Sequence, residues 1–248
     1  MPERGWALVT GAGRRIGRTL ALTTARAGYN VVVHYRKSAD QAAATAAEIQ
    51  ALGRDSRLSA ADLASADACR ALIAGAPIPL TLLVNCAATF DDDRIETLAV
   101  EGWEAAIAAN LRAPVLLSQA FAAALAQERE GLIVNIADQR VLRPTPQFFS
   151  YAVSKAGLWA ATQMLAQALA PRIRVNAIAP GPTLRSTHQS PEAFAAESGA
   201  VILGHGPTPE EIGAALAYLI DARSVTGQMI VVDGGQHLAW RTPDIIDP

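Results

Sequence analysis

Tyr151 and Lys155 are the residues whose types and spacing most directly indicate chemistry. They stand four residues apart in the segment YAVSK, so a helix would place the phenol and the ammonium on the same face. A free phenol titrates at about 10, and a nearby cation favours the phenolate and lowers that pKa towards neutral pH. The pair predicts a proton donor with a tuning cation, although an exposed amphipathic pair has the same spacing.

A glycine-rich turn near the start of the chain predicts a phosphate-binding site. The strand-like residues 6–10 run directly into GAGRRIG and then into a helical stretch. Gly11 and Gly13 permit a tight turn, and Gly17 lets the helix pack near the strand and direct its N-terminus at a phosphate. The spacing from Gly11 to Gly17 is longer than in GxGxxG, so the turn needs support from other motifs.

Composition favours one soluble domain that acts on small molecules. The 248 residues are 51% hydrophobic, which suits one large α/β core over 1–248. Lys and Arg number 21 against 23 Asp and Glu, for a net charge of -2, so no basic surface for nucleic acid is indicated. The sequence predicts a small-molecule substrate.

Cysteines, histidines and apolar runs indicate neither disulfides, nor a metal, nor a membrane. Cys69 and Cys86 lie in apolar segments without a second ligand at metal spacing. The four histidines are scattered, at His34, His188, His205 and His237. No segment has signal-peptide form, and no apolar run approaches the roughly 18 residues of a membrane span. We expect a cytoplasmic protein.

Short β-branched runs alternate with longer Ala-rich stretches, which is typical of a parallel sheet with helices on both faces. The predicted fold class is therefore α/β, a single doubly wound Rossmann-type domain with a seven-stranded sheet. Strands are predicted at 6–10, 30–35, 56–60, 80–85, 131–137, 173–177 and 228–232. Helices are predicted at 17–28, 39–52, 65–75, 101–126, 150–170 and 208–221. Right-handed crossovers place the binding crevice at the C-terminal ends of the strands.

Residues 182–207 break this alternation with several glycines and prolines. We expect a loop or short helices there. A segment of this length beside the crevice indicates a substrate lid, and the alternative is a surface insertion without function.

Together, TGAGRRIG and YAVSK resemble the short-chain dehydrogenase/reductase family, and the resemblance covers nearly the whole chain. Further matching segments are VNCAA around Asn85, RVNAIAPG at 174–181 and VTGQMIVVDGG near the end, with Asp62 and Asn110 between them. The resemblance implies one doubly wound domain that binds a nicotinamide cofactor. It also implies a homo-oligomer, a tetramer or dimer, in which the Ala-rich stretches 101–126 and 150–170 pack between subunits.

The end of the second strand indicates NADP(H) as the cofactor. An NAD enzyme would place a carboxylate there, but the chain reads VVVHYRKSAD. Arg36 and Lys37 offer cations for the extra phosphate, and Ser38 would stand at a helix N-terminus. The alternative is that Ser38 and Gln41 form an ordinary capping box beside solvated charges.

The family resemblance extends the set of cofactor contacts along the chain. The implied contacts are Gly11, Arg14, Arg15, Ile16, Gly17, His34, Tyr35, Arg36, Lys37, Ser38, Asp62, Leu63, Asn85, Ala87, Tyr151, Lys155, Pro180, Gly181 and Thr183. Arg15 replaces the middle glycine of the family's turn, so it is a phosphate clamp, a substrate contact or a solvated charge. Asp62 is the adenine contact by resemblance, and otherwise a helix N-cap.

Asp138 stands where the family pattern has a serine, thirteen residues before the tyrosine. In the family that serine holds the carbonyl oxygen of the substrate. An ionised Asp138 would repel the negative charge that ketone reduction builds on oxygen. A C=N bond instead needs a proton on nitrogen, which a carboxyl group can help to deliver. The substitution favours reduction of an imine in a nitrogen-rich ring.

A second resemblance, to the pteridine reductase and dihydromonapterin reductase branch, agrees with this interpretation, since that branch also carries Asp at this position. HYRKSAD, RRIGR and the Phe90 that ends NCAATF match it, although Ala88 replaces a common serine. In that branch the phenylalanine covers the pterin ring opposite the nicotinamide, which suits stacking. The implied substrate contacts are Arg15, Phe90, Asp138 and Tyr151. Phe90 could instead be a core aromatic.

The implied mechanism uses Tyr151, Lys155, Asp138 and Asn110 as catalytic residues. Lys155 holds the ribose of NADPH, hydride passes to the C=N carbon, and Tyr151 with Asp138 protonates the nitrogen through a shared water. Asn110 orders the proton path, or is an ordinary helix amide. The alternatives are a carbonyl or 3-oxoacyl thioester reductase with a neutral Asp138, and a non-catalytic nucleotide-sensing protein.

Overall fold

A parallel sheet of seven strands forms the centre of the computed structural model, which describes residues 4–240. The strands are β1 Trp6–Val9, β2 Asn30–Tyr35, β3 Ser56–Ala60, β4 Leu80–Asn85, β5 Gly131–Ile136, β6 Ile173–Pro180 and β7 Met229–Val232. Their order in the sheet is β3-β2-β1-β4-β5-β6-β7. The predicted Rossmann-type sheet is confirmed, while the ends of the predicted domain, 1–3 and 241–248, lie outside the described residues.

Eight α-helices in this part of the chain cover both faces of the sheet. They are α1 Arg15–Arg26, α2 Ala39–Ala51, α3 Ala66–Ala74, α4 Val100–Ile107, α5 Ala113–Ala124, α6 Phe149–Leu169, α7 Pro191–Gly199 and α8 Pro209–Asp221. The predicted segment 182–207 contains α7 between two loops, as expected of a loop with short helices. β6 continues three residues beyond its predicted end because it pairs with β7 as far as Pro180.

Alternation along the buried strands explains the two-sided core. In β2, Val31 and Val33 join the cluster that packs against α1, α2 and α8, whereas Val32 joins the cluster that includes residues of α3 and α5. Successive side chains of a strand point to opposite faces. A continuous β-branched run therefore needs helices on both sides of the sheet.

The C-terminal ends of β1 and β4 form the point at which the strand order reverses. The chain continues from β1 to β2 on one side and from β4 to β5 on the other, which leaves a crevice between the ends of β1 and β4. Thr10 braces this point, because its hydroxyl oxygen accepts hydrogen bonds from the backbone N–H groups of Cys86 (2.9 Å) and Ala87 (3.0 Å).

The predicted helix 101–126 is interrupted by a π-helical turn at Ala108–Arg112, between α4 and α5. Such turns are rare in proteins, and those that occur are often at functional sites. Asn110 lies in this turn and is fully buried. By length and composition alone, Val100–Ala124 could cross a membrane, with a mean hydropathy of 1.2, but 44% of it is buried within the fold. Within this segment α5 packs on α3, and α4 packs on α6.

A ladder of buried polar side chains ties α6 to the centre of the sheet. Asn85 Nδ2 on β4 donates to Asn135 Oδ1 on β5 over 2.8 Å, and Asn135 Nδ2 donates to Thr162 Oγ1 on α6 over 2.9 Å. Asn135 and Thr162 are fully buried. Buried amides without partners are costly, so this ladder fixes the depth at which α6 lies on the sheet.

We expect Asn135→Ala to destabilise the fold by about 2 kcal/mol, because Asn85 and Thr162 would each lose a buried partner. Urea unfolding followed by circular dichroism measures this change. Gln50→Ala on the exposed side of α2 is the control and should change stability by less than about 0.5 kcal/mol. Equal effects of the two substitutions would show that the ladder contributes nothing specific.

Candidate active site

One long cleft of about 730 Å³ runs along the C-terminal ends of the strands, a volume typical of cofactor and ligand sites. It extends from Arg36 at the end of β2, past the glycine turn, to Tyr151 on α6. Of the predicted site residues, all but Asn85 and Asn110 line this cleft. Segments distant in sequence thus meet at one edge of the sheet.

The glycine turn is tight enough to require glycine. A Cβ at Gly17 would lie 2.1 Å from the backbone oxygen of Gly11, and Gly11 itself has a φ of +66°. The turn leads into α1, whose N-cap Arg14 makes no side-chain capping hydrogen bond. The first N–H groups of α1 are therefore left without a side-chain cap at the cleft, where they could hold a phosphate.

His34 on β2 stabilises the same glycine turn through a hydrogen bond. The N–H of Gly11 donates to His34 Nδ1 over 3.1 Å, and His34 Nε2 lies 3.2 Å from the carbonyl oxygen of Ala61. This pairing requires the neutral tautomer with its proton on Nε2. Burial lowers the pKa of His34 to about 4. His34 lines the cleft, but both of its ring nitrogens bind the protein.

The far end of the cleft is cationic. Arg36 and Lys37 are exposed at the cleft wall, and Ser38 is the N-cap of α2 without a side-chain capping hydrogen bond. The alternative capping box of Ser38 and Gln41 is therefore not formed. Two cations and an uncapped helix N-terminus form a donor set that fits a phosphate group.

Asp62 lines the cleft after β3 and does not cap the next helix. Its Oδ1 accepts from the N–H of Ala64 over 3.0 Å, whereas Ser65 is the N-cap of α3 and accepts from Ala68. The N-cap alternative for Asp62 is thus wrong. The carboxylate stabilises a local turn and stays exposed at the wall.

Arg15 connects the glycine turn to the segment 182–207. Its guanidinium donates to the carbonyl oxygens of Arg185 (2.9 Å) and Leu184 (3.1 Å). Its backbone has a φ of +54°, a left-handed conformation that glycine adopts more easily than arginine. The contacts exclude a purely solvated charge, and Arg15 remains at the cleft wall.

Tyr151 and Asp138 make direct contact at the inner end of the cleft. Tyr151 Oη donates to Asp138 Oδ2 over 2.8 Å. Burial and the Asp138 carboxylate raise the pKa of Tyr151 well above its usual value, and the Arg140 guanidinium opposes them. The expected lowering of this pKa by Lys155 is wrong in this structure.

The ammonium of Lys155 donates its hydrogen bond to the sheet and not to the oxygen of the phenol. Its Nζ donates to the carbonyl oxygen of Ile136 over 2.6 Å and lies 5.6 Å from the centre of the Tyr151 ring. Burial lowers the pKa of Lys155, and Asp138 acts in the opposite direction. Lys155 still lines the cleft, where its ammonium could bind hydroxyl groups of a ribose.

Arg140 is the cation nearest to Asp138. Asp138 Oδ1 accepts from the backbone N–H of Arg140 over 2.8 Å, and Arg140 Nη1 lies 3.6 Å from the same oxygen. The carboxylate therefore has a donor on each oxygen.

Phe90 and Phe148 form an aromatic pair beside the acid. Their rings stack with centroids 4.2 Å apart, and Phe90 meets Tyr151 edge-on at 4.7 Å. The Arg140 guanidinium lies over both rings, 5.8 Å from the centre of Phe90 and 5.5 Å from that of Phe148. Phe90 lines the cleft as predicted and is not a core aromatic, but Phe148 covers one of its faces.

Asn110 and Asn85 lie outside the cleft and hold the elements that form its wall. Asn110 Nδ2 donates to Ser154 Oγ (3.0 Å) and to the carbonyl oxygen of Thr89 (3.1 Å), while its Oδ1 accepts from the N–H of Thr89 (2.9 Å). Ser154 Oγ in turn donates to the carbonyl oxygen of Tyr151. Neither asparagine lines the cleft, so their side chains fix the elements that do.

Sequence reasoning missed Phe148, Gln139 and Arg140, which all line the cleft. Phe148 has a φ of +53° and is the N-cap of α6. The signal was the aromatic pair FF directly before SYAVSK. Gln139 and Arg140 follow Asp138 in a short 3-10 helix, Gln139–Val141, and only their adjacency to the unusual acid could have marked them.

Comparisons with known proteins agree with this geometry. A family model described as Enoyl-(Acyl carrier protein) reductase matches residues 11–237. The 3-oxoacyl-(acyl-carrier-protein) reductase FabG of Staphylococcus aureus is 33% identical over 243 residues, which cover 94% of this chain and 98% of that protein. The similarity to these reductases thus extends over almost the full length of the chain.

Two solved structures are more similar. FolM alternative dihydrofolate reductase 1 from Brucella suis, in complex with NADP, is 45% identical with a TM-score of 0.95, covering 99% of this chain and 100% of its own. The Brucella canis FolM, also complexed with NADP, is 45% identical with a TM-score of 0.94, covering 98% of both chains.

The fold, the cleft and these similarities define an NADP-dependent oxidoreductase. The chain belongs to the short-chain dehydrogenase/reductase family.

We predict that His34 makes stability depend on pH. Its folded pKa of about 4 lies below the unfolded value of 6.5, so the unfolded chain binds the proton more readily. Stability is complete above about pH 6.5 and falls as the pH drops towards 4, by about 3 kcal/mol in total. Asparagine keeps a hydrogen-bond acceptor but does not titrate.

Urea unfolding of the wild type and of His34→Asn at pH 7.5 and pH 5 measures this contribution, because the difference cancels the titration of other groups. We expect the wild type to lose more stability than the variant on acidification. Parallel losses in the two proteins would exclude His34 as the cause.

Proposed function

We propose that this protein is an NADPH-dependent reductase that transfers hydride to the C=N bond of a pterin-like heterocycle, of dihydropterin or dihydrofolate type. The observation that carries the proposal is Asp138, which accepts hydrogen bonds from Tyr151 and Arg140 at the place of the family's hydroxyl. The similarity to the Brucella dihydrofolate reductases supports it.

The cofactor would lie along the strand ends. When bound, NADPH supplies the hydride. Its pyrophosphate fits the turn from Gly11 to Gly17, whose close packing leaves no room for a side chain. Arg36 and Lys37 suit the extra phosphate, and no carboxylate competes at the end of β2.

Asp138 would hold the protonated nitrogen of the substrate. A hydride adds readily to a C=N carbon once the nitrogen carries a proton, and an ionised carboxylate beside it stabilises that positive charge. The proton comes from solvent and stays on the product amine, so no negative charge develops on the substrate. A ketone would build such charge next to Asp138, which disfavours it.

Tyr151, which is hydrogen-bonded to Asp138, would help that carboxylate to pass the solvent proton to the substrate nitrogen. Because the two groups are hydrogen-bonded, any pH dependence belongs to the pair. Lys155 would bind the ribose, and Asn110 would position the site by joining Thr89 to α6. Phe90 would contact the flat ring on its free side.

A carbonyl or 3-oxoacyl thioester reductase is the second candidate, because the FabG relatives share a third of their residues with this chain. In that reaction a neutral Asp138 would donate to the carbonyl oxygen as a serine does. The two candidates differ in whether Asp138 must carry a charge. Neutralising it separates them.

We also propose a homo-oligomer in the cytoplasm. Val100 and Met164 expose 67% and 68% of their surface on α4 and α6. Exposed apolar side chains on these two helices, which pack against each other, suit a helical interface with a second copy. The number of subunits, tetramer or dimer, would follow from the symmetry of that interface.

We expect Asp138→Asn to lower kcat/KM for a dihydropterin about 100-fold, because the variant keeps the shape but loses the charge that holds the protonated nitrogen. Steady-state oxidation of NADPH measures this. The Kd for NADPH should stay within about twofold, since Asp138 lies at the reacting end of the cleft.

Asp55→Asn, at an exposed acid remote from the cleft, is the matched control. If the wild type reduced acetoacetyl thioesters but no dihydropterin, and Asp138→Asn kept that activity because its amide is also a neutral donor, the carbonyl candidate would replace our assignment. Unchanged activity towards both substrates would remove Asp138 from the chemistry.

Replacing Arg36 and Lys37 by serine should raise the KM for NADPH at least tenfold, because two charge-assisted contacts to the phosphate are lost. The KM for NADH should change by less than about twofold, since NADH lacks that phosphate. Arg57→Ser, an exposed arginine on β3 outside the cleft, controls for net charge. Equal losses with both cofactors would contradict this phosphate site.

A further inference from the structure

Buried polar atoms without partners are concentrated at the reacting end of the cleft. In the part of the chain that the structure describes, four such side-chain atoms occur, on Asn85, Thr89, Gln139 and Arg140. Three of these residues, Thr89, Gln139 and Arg140, line the cleft that also contains Asp138. An unmatched buried donor or acceptor costs about 1–3 kcal/mol, so this clustering calls for a ligand that supplies the missing partners.

Gln139 has a buried hydrogen-bond acceptor without a partner, and Arg140 has a buried donor without one. Gln139 is only 5% exposed, and its Oε1 is an acceptor without a donor. Arg140 Nε–H is a donor without an acceptor, although the same guanidinium is held in place over Phe90 and Phe148 and near Asp138. An acceptor and a donor on consecutive residues of one cleft wall could match a ligand edge that presents one donor and one acceptor.

We propose that Gln139 and Arg140 form a substrate subsite that recognises the amide-like edge of a planar heterocycle, a ring N–H beside a carbonyl oxygen or ring nitrogen. The ring N–H donates to Gln139 Oε1, and the neighbouring ring acceptor receives the Arg140 Nε–H. This inference rests on the proposed function and deepens it, because it names the feature by which the site selects its ring.

The subsite separates recognition from chemistry. Asp138 and Tyr151 act on the reacting nitrogen, whereas Gln139 and Arg140 contact a part of the ring that does not react. Flat rings without an amide-like edge would still stack on the aromatic pair, but they would leave the two polar atoms unmatched. A site built to hydrogen-bond a ligand rejects analogues that lack the group.

The test is a binding measurement on the NADP⁺-bound enzyme, which involves no turnover. Quenching of the fluorescence of pterin, 2-amino-4-oxopteridine, gives its Kd, and displacement gives that of quinoxaline, a flat bicycle without a ring donor. The variants are Gln139→Met, which keeps volume, and Arg140→Lys, which keeps charge but removes Nε–H. Arg129→Met, at an exposed arginine outside the cleft, is the control.

We expect each variant to weaken pterin binding about tenfold, with quinoxaline and NADPH within twofold of the wild type and the control unchanged. Pterin affinities within twofold of the wild type, or equal weakening of both ligands, would overturn the subsite, as would no pterin binding to the wild type. Unchanged NADPH affinity verifies folding. If Gln139→Met does not fold, Gln139→Leu replaces it, and the Arg140→Lys result decides alone if both fail.

The two proposals can fail separately. Wild-type enzyme that binds pterin in this pattern but reduces no dihydropterin would retain the subsite and refute the proposed reaction. Dihydropterin reduction with unaltered KM in both variants would retain the reaction and refute the subsite.

Discussion

The hydrogen bond from Tyr151 to Asp138 is the interaction on which the site depends. It joins the end of β5 to the first turn of α6, so it forms only if helix and sheet meet at the correct depth. Burial and the Asp138 carboxylate, which accepts this hydrogen bond, raise the pKa of the phenol. The pair therefore has a carboxyl group in direct contact with the phenol, and the proposed function depends on this contact.

Two buried asparagine networks hold that contact in register. The ladder from Asn85 through Asn135 reaches α6 at Thr162, and Asn110 reaches the same helix at Ser154, two turns earlier. Asn110 sits in the π-helical turn, which widens the helix locally and brings the amide to Thr89 as well. The rigidity behind the cleft explains how a site on several loops can have a defined geometry.

The sequence was sufficient for the architecture because β2, β3 and β4 are short runs bounded by turn residues, and their bounds agree with the structure. It was insufficient where tertiary contacts decide. Neither the π-helical turn nor the extension of β6 along β7 leaves a periodic signal. Lys155 was expected to lower the pKa of the phenol, but its ammonium donates to the carbonyl of Ile136, a partner that spacing along one helix cannot reveal.

Arg15 shows how local strain is shared between segments. A left-handed conformation costs an L-residue about 1 kcal/mol or more, and the two carbonyls of Leu184 and Arg185 offset that cost. Glycine at this position would relax the turn and at the same time release the chain that follows β6. The glycine turn and the segment 182–207 are thus connected through one side chain, so a substitution at Arg15 would act on both.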